Sequence, residues 1–106
     1  MHLPPAIDLY VKAENAGDVE SLSECFAPDA IVRDESHTYK GLAAIKEWKA
    51  ETKKKYRHTL EPLALAREGD KTILTNRLTG KFPGSPIEVR FVFRLEGDKI
   101  ASLEIG

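Results

Sequence analysis

The spacing of the apolar residues changes once along this 106-residue chain, near Arg57, and that change dictates what it can fold into. Before Arg57 they recur at steps of three and four, the repeat of a helix with one buried face. Beyond it they recur at steps of two, the repeat of a strand with one buried face. Pro4 and Pro5 suit a first helical turn, and Ile7, Tyr10, Val11 and Glu14 follow on one face. Asn15-Ala16-Gly17 is a stop signal, and Asp18 is an N-cap for a second helix carrying Val19, Leu22 and Phe26, ended by Pro28. Ala30 to Asp34 reads as a short strand and Glu35 to Lys40 as a polar loop. A third helix after Gly41 presents Leu42, Ile45, Trp48, Thr52 and Tyr56. Three turn signals (Glu68-Gly69-Asp70-Lys71, Pro83-Gly84-Ser85-Pro86, Glu96-Gly97-Asp98-Lys99) then divide the remainder into strands near 58–67, 71–82, 86–95 and 99–105. A sheet with one apolar face needs a cover, and the helices supply it, so the class is α+β in the order α-α-β-α-β-β-β-β.

Composition removes several function classes. The chain has 16 Lys+Arg against 17 Asp+Glu, a formal net charge of -1, where a general nucleic-acid binder is strongly basic. No purely apolar run exceeds four residues, so neither a membrane span nor an apolar leader after Met1 is expected. Cys25 is the single cysteine and cannot form an internal disulfide, which makes a reducing, cytoplasmic setting the expectation. It reads as a small buried hydrophobe. A phosphate-cradling glycine loop, a nucleophile elbow and a zinc signature are all missing, so no cofactor and no metal are expected. Asp34-Glu35-Ser36-His37 offers metal-capable side chains without ligand spacing and reads as a solvated turn. Lys53-Lys54-Lys55 is explained by the negative end of its helix.

The segment YVKAENAGDVESLSECFAPDAIVRDESHTYKGLAAIKEW, residues 10–48, resembles the start of SnoaL-like polyketide cyclases and ketosteroid isomerases, members of the nuclear transport factor 2-like superfamily. Tyr10, the NAGD turn (Asn15 to Asp18), FAPDA (Phe26 to Ala30), Asp34 at a strand end, Gly41 and Trp48 carry the resemblance. It implies one SnoaL-like domain over residues 1–106. The implied shape is a cone-shaped barrel, three N-terminal helices on a strongly curved mixed or antiparallel sheet, with an apolar pocket on the concave side. It also implies a homodimer, paired back to back through the outer sheet face that carries Glu88, Arg90, Val92 and Arg94.

The spacing of Tyr10 and Asp34 looks like that of an oxyanion-holding tyrosine and a general-base aspartate in ketosteroid isomerases. In an apolar cavity such a carboxylate removes a proton next to a carbonyl, and the phenol stabilises the enolate oxygen. The resemblance thus implies a small apolar carbonyl compound as partner, with Asp34 and Tyr10 catalytic and Val32, Trp48, His58, Phe91 and Phe93 lining the pocket. Two departures argue against steroid isomerisation: Phe91 stands where a second donor acid would be, and Lys49 where a supporting tyrosine would be. The histidine of SnoaL-like acid–base chemistry has two candidates, His37 and His58. Without catalysis the same pocket would hold a small apolar ligand, or the domain would serve as a dimeric interaction module. The plainer reading of Asp34 is a strand-end acid paired with Arg33, Arg77 or the next loop, and Tyr10, Trp48, Phe91 and Phe93 also suit a core.

Overall fold

Helix α1 (Pro5–Ala16) opens with Pro4 as its N-cap and ends on Gly17, whose φ of +68° gives the left-handed turn that terminates it. Its Ile7, Tyr10, Val11 and Glu14 all face inward. Asp18 caps the turn after it: Ser21 donates to its carboxylate through both its hydroxyl (2.6 Å) and its backbone N–H (3.3 Å). The computed structural model describes residues 2–106. The helix α2 (Leu22–Cys25) is a single turn, shorter than expected. Phe26 already belongs to strand β1 (Phe26–Asp34), and Pro28 lies within that strand instead of ending a helix.

The expected polar loop is a strand, β2 (His37–Lys40), joined to β1 by a two-residue turn. Glu35 and Ser36 both take positive φ, 50° and 66°, which is the hairpin geometry normally announced by Asn-Gly. Helix α3 (Leu42–Tyr56) comes next, and then β3 (Thr59–Glu68), β4 (Lys71–Thr79), β5 (Ile87–Glu96) and β6 (Lys99–Ile105). The β3–β4 and β5–β6 turns close at Glu68↔Lys71 and Glu96↔Lys99, with Gly69 and Gly97 at φ +62°. Strand β4 stops three residues before its expected end. Gly80 leaves the sheet to press against the end of α3, where a Cβ would come within 2.8 Å of the Tyr56 carbonyl, and Lys81 N–H donates to that carbonyl at 2.7 Å.

The six strands lie in the order β2-β1-β6-β5-β4-β3, so the sheet is open, with β2 and β3 at its edges, and does not close into a barrel. It is mixed because β1 runs parallel to β6 while every other pair is antiparallel. Pro62 is tolerated because it sits on the edge strand β3, at an irregular step in the register. The core gathers where α1 meets the sheet. There the Tyr10 ring packs edge-on to Phe26 (5.6 Å) and Phe93 (5.8 Å) and tilted against Phe91 (6.2 Å). Burying such large rings is the main term holding helix and sheet together.

Candidate functional site

A cavity of about 400 Å³ opens between α1, α3 and the sheet. That volume lies within the roughly 300–1,000 Å³ of small-molecule sites. Most of its wall is apolar, with Leu78, Phe82, Val89, Phe91 and Ile105 among its lining residues. Ile87, 41% exposed, also lines it, where the wall meets solvent. Polar groups enter from two directions: Asp34 and Glu35 from the β1–β2 hairpin, and Glu14, Lys49 and His58 from α1, α3 and the link between α3 and β3.

Asp34 ends β1, and its Oδ2 accepts a hydrogen bond from the Trp48 indole at 3.2 Å. The expected pairing with an arginine is not formed. Burial is the largest influence on the carboxyl and raises its pKa; the indole hydrogen bond opposes this, and the neighbouring Glu35 adds to the rise. Trp48 is held flat from one side by Tyr39, at 5.5 Å between ring centroids, and Lys49 Nζ lies 4.1 Å from its ring centroid. His37, the other candidate histidine, is exposed, stacks on Tyr39 and does not line the cavity.

In the second polar group the sequence points to His58 but not to Glu14 and Lys49. Glu14 and Lys49 interrupt the apolar faces of α1 and α3 with opposite charges, and they meet: Lys49 Nζ is 2.5 Å from Glu14 Oε1. His58 Nε2 bonds the same oxygen. Asn15 helps bring these elements together, since its side chain takes both backbone groups of Leu60, at 3.0 and 2.7 Å. Lys53 adds a bond from its ammonium to the His58 carbonyl. Burial alone would raise the Glu14 pKa. The Lys49 charge and the hydrogen bonds from His58 and Lys49, with a smaller contribution from the nearby Tyr10 phenol, more than offset it, and the carboxyl is held at about 2. Ionised Glu14 has no proton to give, so His58 Nε2–H must be the donor in their bond. An acidic residue in an otherwise apolar helical stripe, facing a basic one in another, was the available signal.

The expected site residues fall into two sets. Asp34, Trp48, His58 and Phe91 line the cavity; Tyr10, Val32 and Phe93 do not and are fully buried. The phenol oxygen of Tyr10 is sealed beside Glu14, close enough to influence it but without the geometry of a formed hydrogen bond. Burial first, and then the Glu14 charge, push its pKa well up. Among the described residues no cluster of three or more His, Cys, Asp or Glu is placed to hold a metal, and no helix is long and apolar enough to cross a membrane.

No curated protein matches the chain by sequence. Among solved structures, a candidate polyketide cyclase from Sinorhizobium meliloti is 38% identical, with a TM-score of 0.94 over 98% of this chain and 95% of its own. A protein of ketosteroid isomerase-like fold from Catenulispora acidiphila, solved with trimethylamine, is 21% identical, with a TM-score of 0.85 over 99% and 86%. A candidate isomerase of the SnoaL-like family from Agrobacterium tumefaciens is 15% identical, with a TM-score of 0.76 over 94% and 92%. These last two share the fold. The family model of the SnoaL-like domain matches residues 7–103, and the chain belongs to that family.

Proposed function

We propose that the cavity binds a small, largely apolar carbonyl compound and that Asp34 moves a proton on it. The observation that carries this reading is the position of Asp34, a carboxyl on the wall of an apolar cavity, bonded to a neutral indole and drawn toward its protonated form. A carboxyl whose pKa is raised in this way is a stronger base once ionised than one on the surface. The 38%-identical candidate polyketide cyclase supports chemistry of the cyclase or isomerase type.

In this reading the Asp34 carboxylate takes a proton from the carbon next to the carbonyl, and the electron pair moves onto the carbonyl oxygen. If a carbon–carbon double bond adjoins the enolate, the dienolate regains the proton at its far carbon and the double bond shifts, an isomerisation; otherwise the enolate carbon adds to a second carbonyl whose oxygen takes the proton, a cyclisation. Neither route calls for a cofactor. Tyr10 is too deeply sealed to hold the enolate oxygen, and the cation on the cavity wall is Lys49. Turnover of enolisable ketones, epoxides and polyketide-like esters by the wild type and by Asp34→Asn tests the proposal. Loss of a general base should lower turnover by about 10²–10⁴-fold. Equal rates would remove Asp34 from the mechanism.

Phe91, which cannot donate a hydrogen bond, favours a second reading in which the cavity binds without catalysis. Native mass spectrometry that retains a ligand, with no turnover across the panel, would select it. In either case we propose that two copies pair through the outer face of β5, where Glu88, Arg90 and Arg94 flank Val92 in a self-complementary mixture of charges. Light scattering should give a dimer at micromolar concentration, and a monomer would refute the pairing.

A further inference from the structure

An apolar cavity wall gains little from a buried ammonium unless something in the cavity uses it. Burying an ion pair sacrifices hydration that the pair's attraction seldom returns in full, and apolar residues of equal volume are often no worse. Lys49, Glu14 and His58 are nonetheless all buried, at 6%, 4% and 5% exposure. Their arrangement is lopsided. One oxygen, Glu14 Oε1, takes both nitrogens, while Oε2 is sealed and without a partner. Lys49 Nζ therefore keeps donor capacity beyond its bond to Glu14. Spare donor capacity on Lys49 is thus available on the wall, while the spare acceptor is shut away. Trp48 divides this group from Asp34: Lys49 lies 4.1 Å from the ring centroid, and Asp34 bonds the indole N–H at the ring's edge.

We infer that Lys49, held in place by Glu14 and His58, forms the head-group site for a ligand with a delocalised anionic oxygen pair, a carboxylate or an acidic enol, whose apolar body lies along Leu78, Val89 and Phe91. The inference rests on the reading that the cavity takes a small apolar molecule, and it specifies that molecule's polar end. A neutral amide would lose the charge-assisted part of the contact, and an ammonium would be repelled by Lys49.

Trp48 is the chain's single tryptophan and lies against Lys49, so its emission reports binding. The full chain is titrated with octanoate, octanamide, octylamine and 2,4-nonanedione. Octanoate or the dione should bind about tenfold or more tighter than the amide and the amine. Whichever of the two binds tighter identifies the head group. The double variant Glu14→Gln/Lys49→Met removes both charges together and leaves no lone buried ion from that pair. It should lose the preference, octanoate and octanamide then binding within about twofold of each other. An amide or amine that binds the wild type as tightly as the anions overturns the head-group site and leaves the cavity reading standing. A preference that survives in a folded double variant also overturns it. Absence of binding by all four compounds overturns both.

Discussion

Glu14 and Asp34 both line the cavity, one from α1 and one from the end of β1, and their surroundings drive them in opposite directions. Glu14 is almost wholly buried, which should favour its neutral form, yet Lys49 and His58 hold it ionised to about pH 2. Asp34 is only half-buried and its one hydrogen-bond donor is a neutral indole, so burial prevails and its pKa rises. Depth alone therefore does not decide which acid handles protons. The partner does: a cation fixes a carboxylate, whereas a neutral donor leaves it free to titrate. The deeper acid is a fixed charge that organises the wall, and the shallower one is the proton carrier.

The sharpest way to break this contrast is to deprive Glu14 of its cation. Lys49→Met leaves a buried carboxylate with His58 as its main partner, and stability to urea should fall by about 3–5 kcal/mol. Adding Glu14→Gln to that variant should recover most of the loss, although the double variant has one polar contact fewer than the wild type. A single variant as stable as the wild type would show that the ion pair is not formed in solution.

Acid tests the same pair without mutation. Glu14 has a folded pKa of about 2 against an ordinary value of 4.5. Its ionised form stabilises the fold fully above pH 4.5, and the contribution is lost as pH falls toward 2, because the unfolded chain takes up the proton first. The difference corresponds to about 3 kcal/mol. Urea unfolding between pH 6 and pH 2 should therefore fall more steeply for the wild type than for Glu14→Gln. Parallel curves would mean that Glu14 is not held ionised. Asp34 has the opposite sign: a raised pKa favours the fold at low pH and weakens it as the carboxyl ionises. Asp34→Asn should accordingly leave stability at pH 7 unchanged or slightly higher while turnover is lost. A marked destabilisation would give Asp34 a structural role.

How much of this was legible in the sequence depended on whether the cause was local. Gly69 and Gly97 carry the backbone freedom their turns need, so the β3–β4 and β5–β6 hairpins were visible from their turn residues. Glu35 and Ser36 adopt a similar conformation without glycine or asparagine to announce it, so the sequence around β2 has the look of a polar loop. Phe26 falls at helical spacing from Leu22, but pairing with Ile100 on β6, 74 positions away in sequence, draws it into a strand. The site divides in the same way. Periodicity placed Tyr10 and Glu14 on the inner face of α1 without saying which would reach the cavity. The rings of Phe26, Phe91 and Phe93 enclose Tyr10, while the next turn of the helix brings Glu14 to Lys49 and His58. That outcome depends on how far α1 slides along the sheet, which no local pattern records.

The smallest effect isolates the neutral donor that distinguishes Asp34 from Glu14. Trp48→Phe keeps an aromatic ring between Tyr39 and Lys49 but removes the N–H that Asp34 accepts. A single hydrogen bond to a half-buried, partly hydrated carboxyl is worth about 1 kcal/mol or less, so unfolding should change little. The proton equilibrium should move more visibly. The indole bond is the main influence holding the Asp34 pKa down, and its loss leaves burial and Glu35 to push it further up. Carbon-13 titration of the Asp34 carboxyl should show that rise, and the acidic limb of any turnover profile should move to higher pH with it. The Glu14 carboxyl, held by Lys49 and His58 and not by the indole, should titrate as before. Equal movement of both acids would mean that the substitution disturbs the whole cavity and that the indole is not what separates them.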